Sequence, residues 1–459
     1  MKVAAGLRAR ERVVVHVDSR AVRWISALAV LSLVGWLLVV HKDVAWSLTL
    51  LAALLFIARG VLLGRPVTAG HATVAMVVLL AGLAAAFLAF DLLGSVLMVA
   101  AAVVLMWPTA SRPNPADRPR IFALVNATAG DPLAPFAMQS SKSYHFASDG
   151  SAAIAYRTRL GFAVVSGDPI GDDTRFADLV ADFAAMCHTR GWRIVVLGCS
   201  ERRVSLWSDP TVMGQRLRAV PIGRDVVIDV ATFELVGRKY RNLRQAVQRT
   251  HNAGVTTEVV DEQNLDDNLL AELTDVVLSS PKGARTERGF SMCLDGTLEG
   301  RYPGVSLIIA RDRTGRVQGF HRYASAGEGT EVTLDVPWRR RGAPNGIDER
   351  LSVDMISTAK KQGAQRLSLA FAAFPEIFTD QNRTMARSLA FTAIHLGDPL
   401  IALESLYRYL RKFHALSDRR YVMATLTQVI PLLIVLLWLE FMPRRRRLEA
   451  VTASRAQAS

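Results

Sequence analysis

Long apolar stretches lie at both ends of the chain, and between them lies a stretch with the mixed apolar and charged pattern of a water-facing domain. Near the N-terminus, apolar segments approach the roughly 20 helical residues that cross a bilayer core. They are Trp24 to Val40, Val44 to Leu63, Ala72 to Phe90 and Leu92 to Trp107. This pattern predicts a membrane region over residues 1–110 with about four helices, arranged as two hairpins.

The charges beside these segments predict which side of the membrane the middle of the chain occupies. The short joints at residues 41–43 and 90–91 would face one side. The arginines at the other ends would face the opposite side: Arg8, Arg10, Arg12, Arg20, Arg23, Arg59, Arg65, Arg112 and Arg118. Lys and Arg beside membrane segments are enriched on the cytoplasmic side. We therefore expect a multi-pass protein of the plasma membrane whose large domain is cytoplasmic.

The C-terminal part, residues 421–459, carries a last hydrophobic helix and a basic tail. The apolar run from Met423 to Met442 is long enough to span a bilayer, but Arg444 to Arg447 follow it directly. If the run crosses from the cytoplasm, these arginines lie outside, against the usual bias. The alternative is a hydrophobic anchor in the membrane interface, broken near Pro431, with the arginines on anionic headgroups.

Between the membrane parts, the pattern is that of an α/β domain. The proline-rich segment SRPNPADRP at residues 111–119 is a linker. Beyond it, short β-branched runs predict strands at 152–156, 162–166, 193–198, 226–230, 305–311, 317–323, 331–336 and 366–371, and amphipathic stretches predict helices at 175–190, 237–250 and 347–362. We predict an α/β domain over residues 120–420, made of two similar halves in tandem, 120–235 and 236–420.

The composition excludes some kinds of site but does not identify the binding partner. The chain has 459 residues and a formal net charge of +14, an excess that suits anionic lipid, nucleic acid or membrane topology alike. Cys187, Cys199 and Cys293 show no paired spacing, so neither a disulfide framework nor a cysteine zinc site is indicated. The sequence has no HExxH, Walker loop, GxGxxG or Ser-His-Asp order, and we expect no metal and no cofactor.

The loop Ser166 to Gly171 is the first candidate for ligand binding. It follows a predicted strand and precedes a helix, and Gly167 beside Asp168 would permit a tight turn and close approach of a ligand. The alternative is a structural turn capped by Asp172 or Asp173.

The segment LDVPWRRRGAPNG, which begins at Leu334, is the second candidate. It places Asp335, Arg339, Arg340 and Asn345 between a predicted strand and the start of a helix. Unpaired backbone N–H groups, the helix dipole and guanidinium groups converge at such a point, which suits a nucleotide or the phosphates at the 3′ end of a tRNA. A solvated charge run at a turn is the alternative.

The predicted helix at residues 237–250, GRKYRNLRQAVQRT, is the third candidate. Leu243 and Val247 would face inward, and Arg241 and Arg244 would face outward. These arginines could contact RNA phosphates or lipid headgroups, or form a merely solvated helix face.

Taken as a set, several segments resemble the synthase domain of the phosphatidylglycerol lysyltransferase (MprF) family, in its actinobacterial type. They are SKSYHFASDG from Ser141, AIAYR from Ala153, VVSGDPIGD from Val164, GRKYRNLRQAVQR from Gly237, ERGFSMCLDG from Glu287, APNGIDERL from Ala343, LSLAFAAF from Leu367 and YRYLRKF from Tyr407. The resemblance implies two GNAT-like subdomains in tandem. It also implies aminoacyl-tRNA as donor and phosphatidylglycerol as acceptor, with lysine as the usual amino acid; a homo-oligomer is a further partner that the prediction allows.

The resemblance and the residue types together suggest roles for individual side chains. We expect Asp335 or Glu287 to act as a base or to bind the ammonium group of the donor, and Asp335 to share a cleft with Arg340. The remaining residues predicted to bind substrate are Gly167, Asp168, Arg241, Arg244, Lys282, Arg339, Arg340, Asn345 and Ser368. The chain departs from the family pattern at Ala370, where Asn is usual.

Two other functions remain open at this point. A membrane-anchored GNAT-type N-acyltransferase using acyl-CoA would need a pyrophosphate loop of the form Arg/Gln-x-x-Gly-x-Gly/Ala. Arg339 to Gly342 begin such a loop, but Pro344 occupies its last position. A non-catalytic membrane protein that binds lipid or tRNA is the other alternative, and Ala370 is the feature that favours it.

Overall fold

The computed structural model describes residues 13–15, 28, 32, 44–280, 286–287, 289–373, 406–425, 429–441 and 444–445. Apart from two isolated positions, the first predicted apolar segment, residues 24–40, lies outside the described residues, and so does Lys282. Two short pairings lie at the margins of the described chain: Val13–Val15 pairs with Val67–Thr68, and Thr286–Glu287 pairs with Arg444–Arg445.

Three apolar helices follow one another at the N-terminal end: α1 Val44–Leu62, α2 Ala69–Phe87 and α3 Asp91–Leu105. They correspond to the second, third and fourth predicted apolar segments. Among the described residues, α2 is the helix long and apolar enough to cross a membrane, and α1 and α3 contribute shorter apolar helices. A Cβ on Gly82 of α2 would lie 3.2 Å from the carbonyl oxygen of Gly94 in α3. Small residues therefore let these two helices pack closely.

The rest of the described chain forms a mixed sheet with helices packed on it. Its strands are β1 Ser143–Phe146, β2 Ala152–Arg159, β3 Phe162–Ser166, β4 Arg193–Ser200, β5 Arg218–Asp229, β6 Thr256–Asp261, β7 Val305–Arg311, β8 Val317–Ala326, β9 Glu331–Arg339, β10 Arg366–Ala373 and β11 Leu416–Ala424. Its helices are α4 Arg118–Ala127, α5 Phe176–Thr189, α6 Arg241–Asn252, α7 Asp267–Ser279, α8 Ile347–Lys361 and α9 Val429–Phe441, with a short helix at Pro210–Met213. Across the sheet the order is β1-β2-β3-β4-β11-β5-β10-β9-β8-β7-β6, and the short strand Ile170–Gly171 pairs with β2.

The same succession of elements occurs twice in this sheet. Strands β1, β2 and β3 are antiparallel neighbours, α5 follows, and β4 returns parallel to β3. Likewise, β7, β8 and β9 are antiparallel neighbours, α8 follows, and β10 returns parallel to β9. The late strand β11 lies between β4 and β5, so it joins the two parts of the sheet into one mixed α/β domain.

Most of the predicted strands and helices are confirmed. The strands at 162–166 and 305–311 have the predicted bounds, and the helix predicted at 347–362 is α8. The strand predicted at 226–230 is the end of the longer strand β5. Residues 218–224 extend it because they pair with β11, a strand far along the chain that no local pattern indicates.

Local side-chain chemistry sets several element ends. Asp266 caps α7 by accepting the Leu269 N–H at 2.8 Å. Helix α5 stops before Gly191, whose φ of 60° suits a glycine and matches the predicted stop. Asp172 accepts the Thr174 N–H at 3.0 Å, so the capping role that the sequence allowed for Asp172 is present.

The C-terminal apolar helix α9 packs on the sheet. Its buried side chains Leu432, Val435 and Leu439 contact a cluster that includes Phe162 and Val195 of β3 and β4. The described helix has 13 residues and is about 20 Å long. Its opposite face leaves Ile430, Leu433, Ile434 and Leu437 exposed. One face of α9 therefore packs on the α/β domain, and the other presents an apolar surface.

Candidate active site

A buried arginine at the centre of the sheet is surrounded by three aspartates. Arg420 lies on β11 and is 1% exposed. It donates from Nε to Asp225 at 2.7 Å and from Nη2 to Asp131 at 2.6 Å, and its Nη1 lies 3.6 Å from Asp168. Nη1 also donates to the Gly198 carbonyl at 3.0 Å. The guanidinium thus links β11 to β5, to the loop after α4 and to the loop after β3.

Both parts of the sheet hold the loop that carries Asp131. The Thr333 hydroxyl donates to the Pro132 carbonyl at 2.9 Å, and the Gly130 N–H donates to the Glu331 carboxylate at 3.3 Å. Thr333 and Glu331 both lie on β9. On the other side, Arg202 donates to the Gly130 carbonyl at 2.5 Å. The Asp131 carboxylate is therefore placed where the earlier and later parts of the chain meet.

A cavity of about 340 Å³ lies in front of this network. We call it the acidic cavity, and its charged lining consists of Asp131, Asp168, Asp172, Asp173, Arg202 and Arg203. The buried Oδ2 of Asp131 accepts no hydrogen bond from the described residues. A buried carboxylate oxygen without a partner is costly, so a hydrogen-bond donor on a ligand would stabilise it.

The buried charges of this network raise the pKa values of its aspartates and leave more carboxylates than cations. Burial raises the pKa of Asp168, and the neighbouring charge of Asp131 raises it further, while Arg420 opposes both effects. Burial also raises the pKa of Asp225 to about 6, against the lowering effect of Arg420. Burial alone would lower the pKa of Arg420, but the three carboxylates outweigh it and the pKa is raised, so Arg420 stays charged. One permanent cation faces three carboxylates, and a cationic ligand would reduce that imbalance.

Substitution of the two glycines in the Ser166–Gly171 loop should affect stability to different degrees. Both have positive φ, 74° at Gly167 and 97° at Gly171. A Cβ on Gly171 would lie 2.2 Å from the Ser151 carbonyl oxygen, whereas a Cβ on Gly167 would meet only Leu133 at 3.6 Å. We expect Gly171→Ala to lower the unfolding free energy by more than about 3 kcal/mol and Gly167→Ala by about 1 kcal/mol. Denaturant unfolding of the two purified variants measures the difference, and equal losses would contradict it.

Asp335, the predicted catalytic residue, belongs to a second buried ion network. Its Oδ2 accepts from Nη1 of Arg322 at 2.8 Å, and its Oδ1 accepts the Leu294 N–H at 2.8 Å. Arg322 also donates to Glu262 at 2.8 Å, and the Glu262 side chain in turn accepts the Leu298 N–H at 2.7 Å. The side chains of Arg322, Glu262 and Asp335 are fully buried. Burial raises the pKa of Asp335 to about 6, although Arg322 and the Leu294 N–H lower it.

This second network holds the segment after residue 289 against the earlier part of the chain. Asp295, in that segment, accepts the Ser140 N–H at 3.0 Å and a bond from Arg301 at 2.9 Å. Gln139 donates to the carbonyl of Cys293 at 2.9 Å. The segments around Ser141 and Phe290, which carried part of the resemblance, thus lie side by side.

The predicted phosphate-binding arginines have carboxylate partners of their own. Arg340 pairs with Asp275 at 2.5 Å and donates to the Val317 carbonyl at 2.7 Å. Arg339 is half exposed and lies 3.4 Å from Asp348. The predicted convergence of Asp335 with Arg340 is not what these contacts show, because each has a different partner from a different element.

The other predicted substrate-binding residues are spread over the domain. Arg241 and Asn345 are exposed, at the start of α6 and just before α8. Arg244 donates to the carbonyls of Leu235 and Gly237 at 2.8 Å, which holds the turn before α6. Ser368 is buried in β10 beside Thr333 of β9. Glu287 has only its backbone described, in the pairing with Arg444. Asp168 and Gly167 therefore stand nearest to the acidic cavity.

Sequence reasoning did not select Asp131, Asp225 or Arg420, nor Arg322 with Glu262. One signal was present, since Arg322 lies inside a run predicted to be a strand and Asp225 directly precedes another. A charge in a buried strand needs a partner. The spacing along the chain does not say which partner it has, because Arg420 and Asp131 are 289 positions apart.

With this geometry established, comparison with known proteins identifies the family. Residues 122–424 match the family model described as phosphatidylglycerol lysyltransferase, C-terminal. The chain belongs to this family. The match covers the sheet and both ion networks, and the resemblance noted in the sequence is thereby confirmed. As a member of the phosphatidylglycerol lysyltransferase family, the chain is a transferase.

Relatives within the family differ in how much of them the chain covers. An MprF-like domain protein of Mycobacterium tuberculosis is 64% identical over 458 residues, which is 97% of this chain and 95% of that protein. The lysylphosphatidylglycerol biosynthesis bifunctional protein LysX of Rhodococcus jostii is 32% identical over 261 residues, or 57% of this chain. The chain spans only 23% of the length of that LysX protein.

Two solved structures share the fold of the family domain. The C-terminal domain of a protein described as a lysylphosphatidylglycerol synthetase from Agrobacterium fabrum is 22% identical with a TM-score of 0.60, covering 72% of this chain and 99% of that one. L-PGS from Bacillus licheniformis is 19% identical, also with a TM-score of 0.60, covering 72% of this chain and 97% of that one. At these identities the likeness concerns the fold alone.

Proposed function

We propose that the protein transfers an amino acid from aminoacyl-tRNA to phosphatidylglycerol at the inner leaflet of the plasma membrane. Lysine is the amino acid that members of the family usually transfer, and we propose it here. The acidic cavity is the observation that carries this proposal within the family. Four aspartates line it against two arginines. Every aminoacyl donor bears an α-ammonium group, and a lysyl donor bears a second ammonium group, so this lining suits such a donor.

The reaction needs positioning and one proton transfer. A glycerol hydroxyl of the lipid attacks the ester carbonyl of the donor, the new ester bond forms, and the bond to the tRNA ribose oxygen breaks. The proton leaves the lipid hydroxyl and ends on the ribose oxygen. Because the donor ester is already activated, no covalent enzyme intermediate and no additional reactant are required.

We assign the donor ammonium group to Asp131 and Asp168. Asp131 offers an oxygen without a hydrogen-bond partner among the described residues, and Asp168 lines the same cavity. Arg202 and Arg203 at the cavity edge have the charge to contact phosphates at the tRNA 3′ end.

For Asp335 we propose a positioning role in place of the predicted role as a base. Both of its oxygens are occupied, by Arg322 and by the Leu294 N–H, and its side chain has no exposed surface. A general base must reach the proton it takes, directly or through one water molecule. Asp335 instead fixes the segment after residue 289 beside Gln139 and Ser140.

The repeated succession of elements supports two GNAT-like subdomains in tandem. At their junction, the late strand β11 pairs with β4 of the first half, and the earlier strand β5 pairs with β10 of the second half. The apolar helices α1 to α3 and the arginines beside them support a multi-pass topology with the sheet on the cytoplasmic side. Aminoacyl-tRNA would then reach the acidic cavity from the cytoplasm, and the lipid would reach it from the inner leaflet.

Mass spectrometry of phospholipids tests the proposed function directly. The full chain is expressed in a bacterial host that lacks aminoacylated lipids, and its lipid extract is compared with that of cells carrying the empty vector. We expect a new species whose mass equals phosphatidylglycerol plus one amino acid, with lysine predominating. As a control, the variant Glu234→Gln, which changes an exposed residue of the loop before α6, should give the same yield.

Other outcomes would favour the alternatives. A new N-acylated product that depends on acyl-CoA would replace the proposal by the N-acyltransferase function. Unchanged lipids, from a protein that is folded and in the membrane and supplied with lysyl-tRNA, would leave a non-catalytic binding protein.

A further inference from the structure

Three arginines meet where the apolar helices join the α/β domain. Arg59 lies in the last turns of α1, Arg65 follows that helix, and Arg193 begins β4. All three line a cavity of about 260 Å³, which we call the junction cavity. The junction is tightly packed, since a Cβ on Gly191 would lie only 2.6 Å from the Gly64 carbonyl oxygen. Close backbone packing between the turn after α1 and the turn before β4 therefore fixes the position of the junction cavity.

Within the described part of the chain, these arginines have no carboxylate partner, unlike the deeply buried Arg322, Arg340 and Arg420. Arg420 and Arg322 are each surrounded by acidic groups, but none of the ion pairs between described residues includes Arg59, Arg65 or Arg193. Arg65 donates to the Met106 carbonyl at 2.8 Å, while its buried Nε has no partner in the described structure. Burial lowers the pKa of Arg65 and of Arg193, and the charge of Arg59 lowers both further. An anion in the cavity would stabilise the charged guanidinium groups and so oppose the lowering of both pKa values.

The remaining lining of the junction cavity is apolar and continues onto exposed surface. Phe56, Trp107 and Leu160 line it, and each of them is also exposed. Leu160 adopts a positive φ of 50° at the tip of the β2–β3 hairpin, a strained conformation that presents its side chain at this rim. A free phosphate ion would leave this apolar rim in water, whereas a phospholipid would cover it.

The helix α9 extends the same apolar surface. Its Pro431 lines the junction cavity, and Ile430, Ile434 and Leu437 on its outer face are exposed. Trp438 of α9 lies under the guanidinium of Arg159, 3.8 Å from ring centroid to Cζ, an arrangement common for aromatic and basic groups at a membrane interface.

We propose that the junction cavity binds the phosphate headgroup of one anionic membrane phospholipid through Arg59, Arg65 and Arg193, with the acyl chains on the exposed apolar surfaces of α1, α3 and α9. This site is separate from the acidic cavity, with which it shares no lining residue. It does not depend on the proposed aminoacyl transfer. Its effect is to hold the sheet at a fixed height and orientation on the bilayer.

Native mass spectrometry of the full-length protein tests this site. The protein is purified in detergent and titrated with dioleoylphosphatidylglycerol or with dioleoylphosphatidylcholine. We expect one tightly held phosphatidylglycerol, weaker retention of phosphatidylcholine, and no displacement by an excess of inorganic phosphate. Phosphatidylglycerol binding no stronger than phosphatidylcholine binding, or displacement by inorganic phosphate alone, would overturn the proposal without any variant being needed.

Variants then test the guanidinium groups. Charge-assisted hydrogen bonds to phosphate predict that Arg193→Gln weakens retention of phosphatidylglycerol by about tenfold or more, and that Arg65→Gln with Arg193→Gln weakens it further. Arg193→Lys should retain most of the binding, and Arg249→Gln, on the exposed face of α6, should retain all of it. Unchanged binding by a folded double variant would also overturn the proposal. Because the readout is lipid binding, it is independent of whether amino acids are transferred.

Discussion

Replacing Arg420 with methionine should destabilise the domain by about 3–5 kcal/mol, because the substitution leaves Asp131, Asp168 and Asp225 buried without a cation. The loss should appear as a lower denaturation midpoint for the loss of tertiary structure in the purified protein. Arg419→Met is the matched control, since Arg419 is the exposed neighbour on the same strand and should change the midpoint little. An Arg420→Met protein as stable as the wild type would show that the three aspartates do not need this cation.

The Arg420→Met deficit should also depend on pH. Asp225 has a folded pKa of about 6, above the value of about 4 for an unfolded aspartate, and loss of Arg420 would raise it further. A raised folded pKa favours folding at low pH, and that advantage is lost as the pH rises through the folded value. We therefore expect the variant to approach wild-type stability near pH 5 and to fall furthest below it near pH 8. A deficit that is constant over this range would contradict the assignment.

Replacing Asp168 or Asp131 with asparagine should lower kcat/KM for transfer from lysyl-tRNA by about 10- to 100-fold. Each substitution removes one charge-assisted contact with the donor ammonium group, a loss of about 1.5–3 kcal/mol in the transition state. The effect is measured as transfer of labelled lysine from lysyl-tRNA to phosphatidylglycerol vesicles, and the rise in KM for charged tRNA should account for much of it.

Stability measurements separate this effect from misfolding. Asparagine keeps an oxygen that can accept the Ser200 N–H, which Asp168 accepts at 3.0 Å. It also removes a charge from a cluster in which carboxylates outnumber cations, so the unfolding free energy should change by no more than about 1 kcal/mol. Glu234→Gln should leave both activity and stability unchanged. Full activity of folded Asp168→Asn and Asp131→Asn variants would remove the acidic cavity from the reaction.

Several elements were predictable because their signals are local. The short apolar, β-branched runs at residues 162–166 and 305–311 are typical of strands that are largely buried, and both strands have the predicted bounds. Helix α8 likewise follows from its periodicity and from the glycine before it. The resemblance added the family, because many short segments in a fixed order are more specific than any one of them.

The candidate site was only partly predictable. Asp168 and Gly167 were selected because turn chemistry marks their loop, and the loop does border the acidic cavity. Asp335 and Arg340 were selected because they lie in a basic segment between a predicted strand and the start of a helix, a segment that also resembles the family, yet Asp335 pairs with Arg322 and Arg340 with Asp275. Asp335 lies inside β9, whereas Arg340 follows the end of that strand. Successive side chains of a strand point to opposite faces of the sheet, so membership of one short segment did not bring these two groups together.

The order of apolar segments, eight of the eleven strands of the sheet, the helices α5, α6 and α8, and the family were predictable from the amino-acid sequence, because each depends on side chains a few positions apart or on motifs in a fixed order. The sequence pattern did not predict β1, β6 or β11. Tertiary structure alone decided that β11 returns to lie between β4 and β5. That pairing brings Arg420 to Asp131, 289 positions earlier, and creates the buried charge cluster behind the acidic cavity. Contacts between distant segments form only when the whole sheet closes, since backbone pairing and burial of the sheet faces, rather than any local preference, select which strands become neighbours.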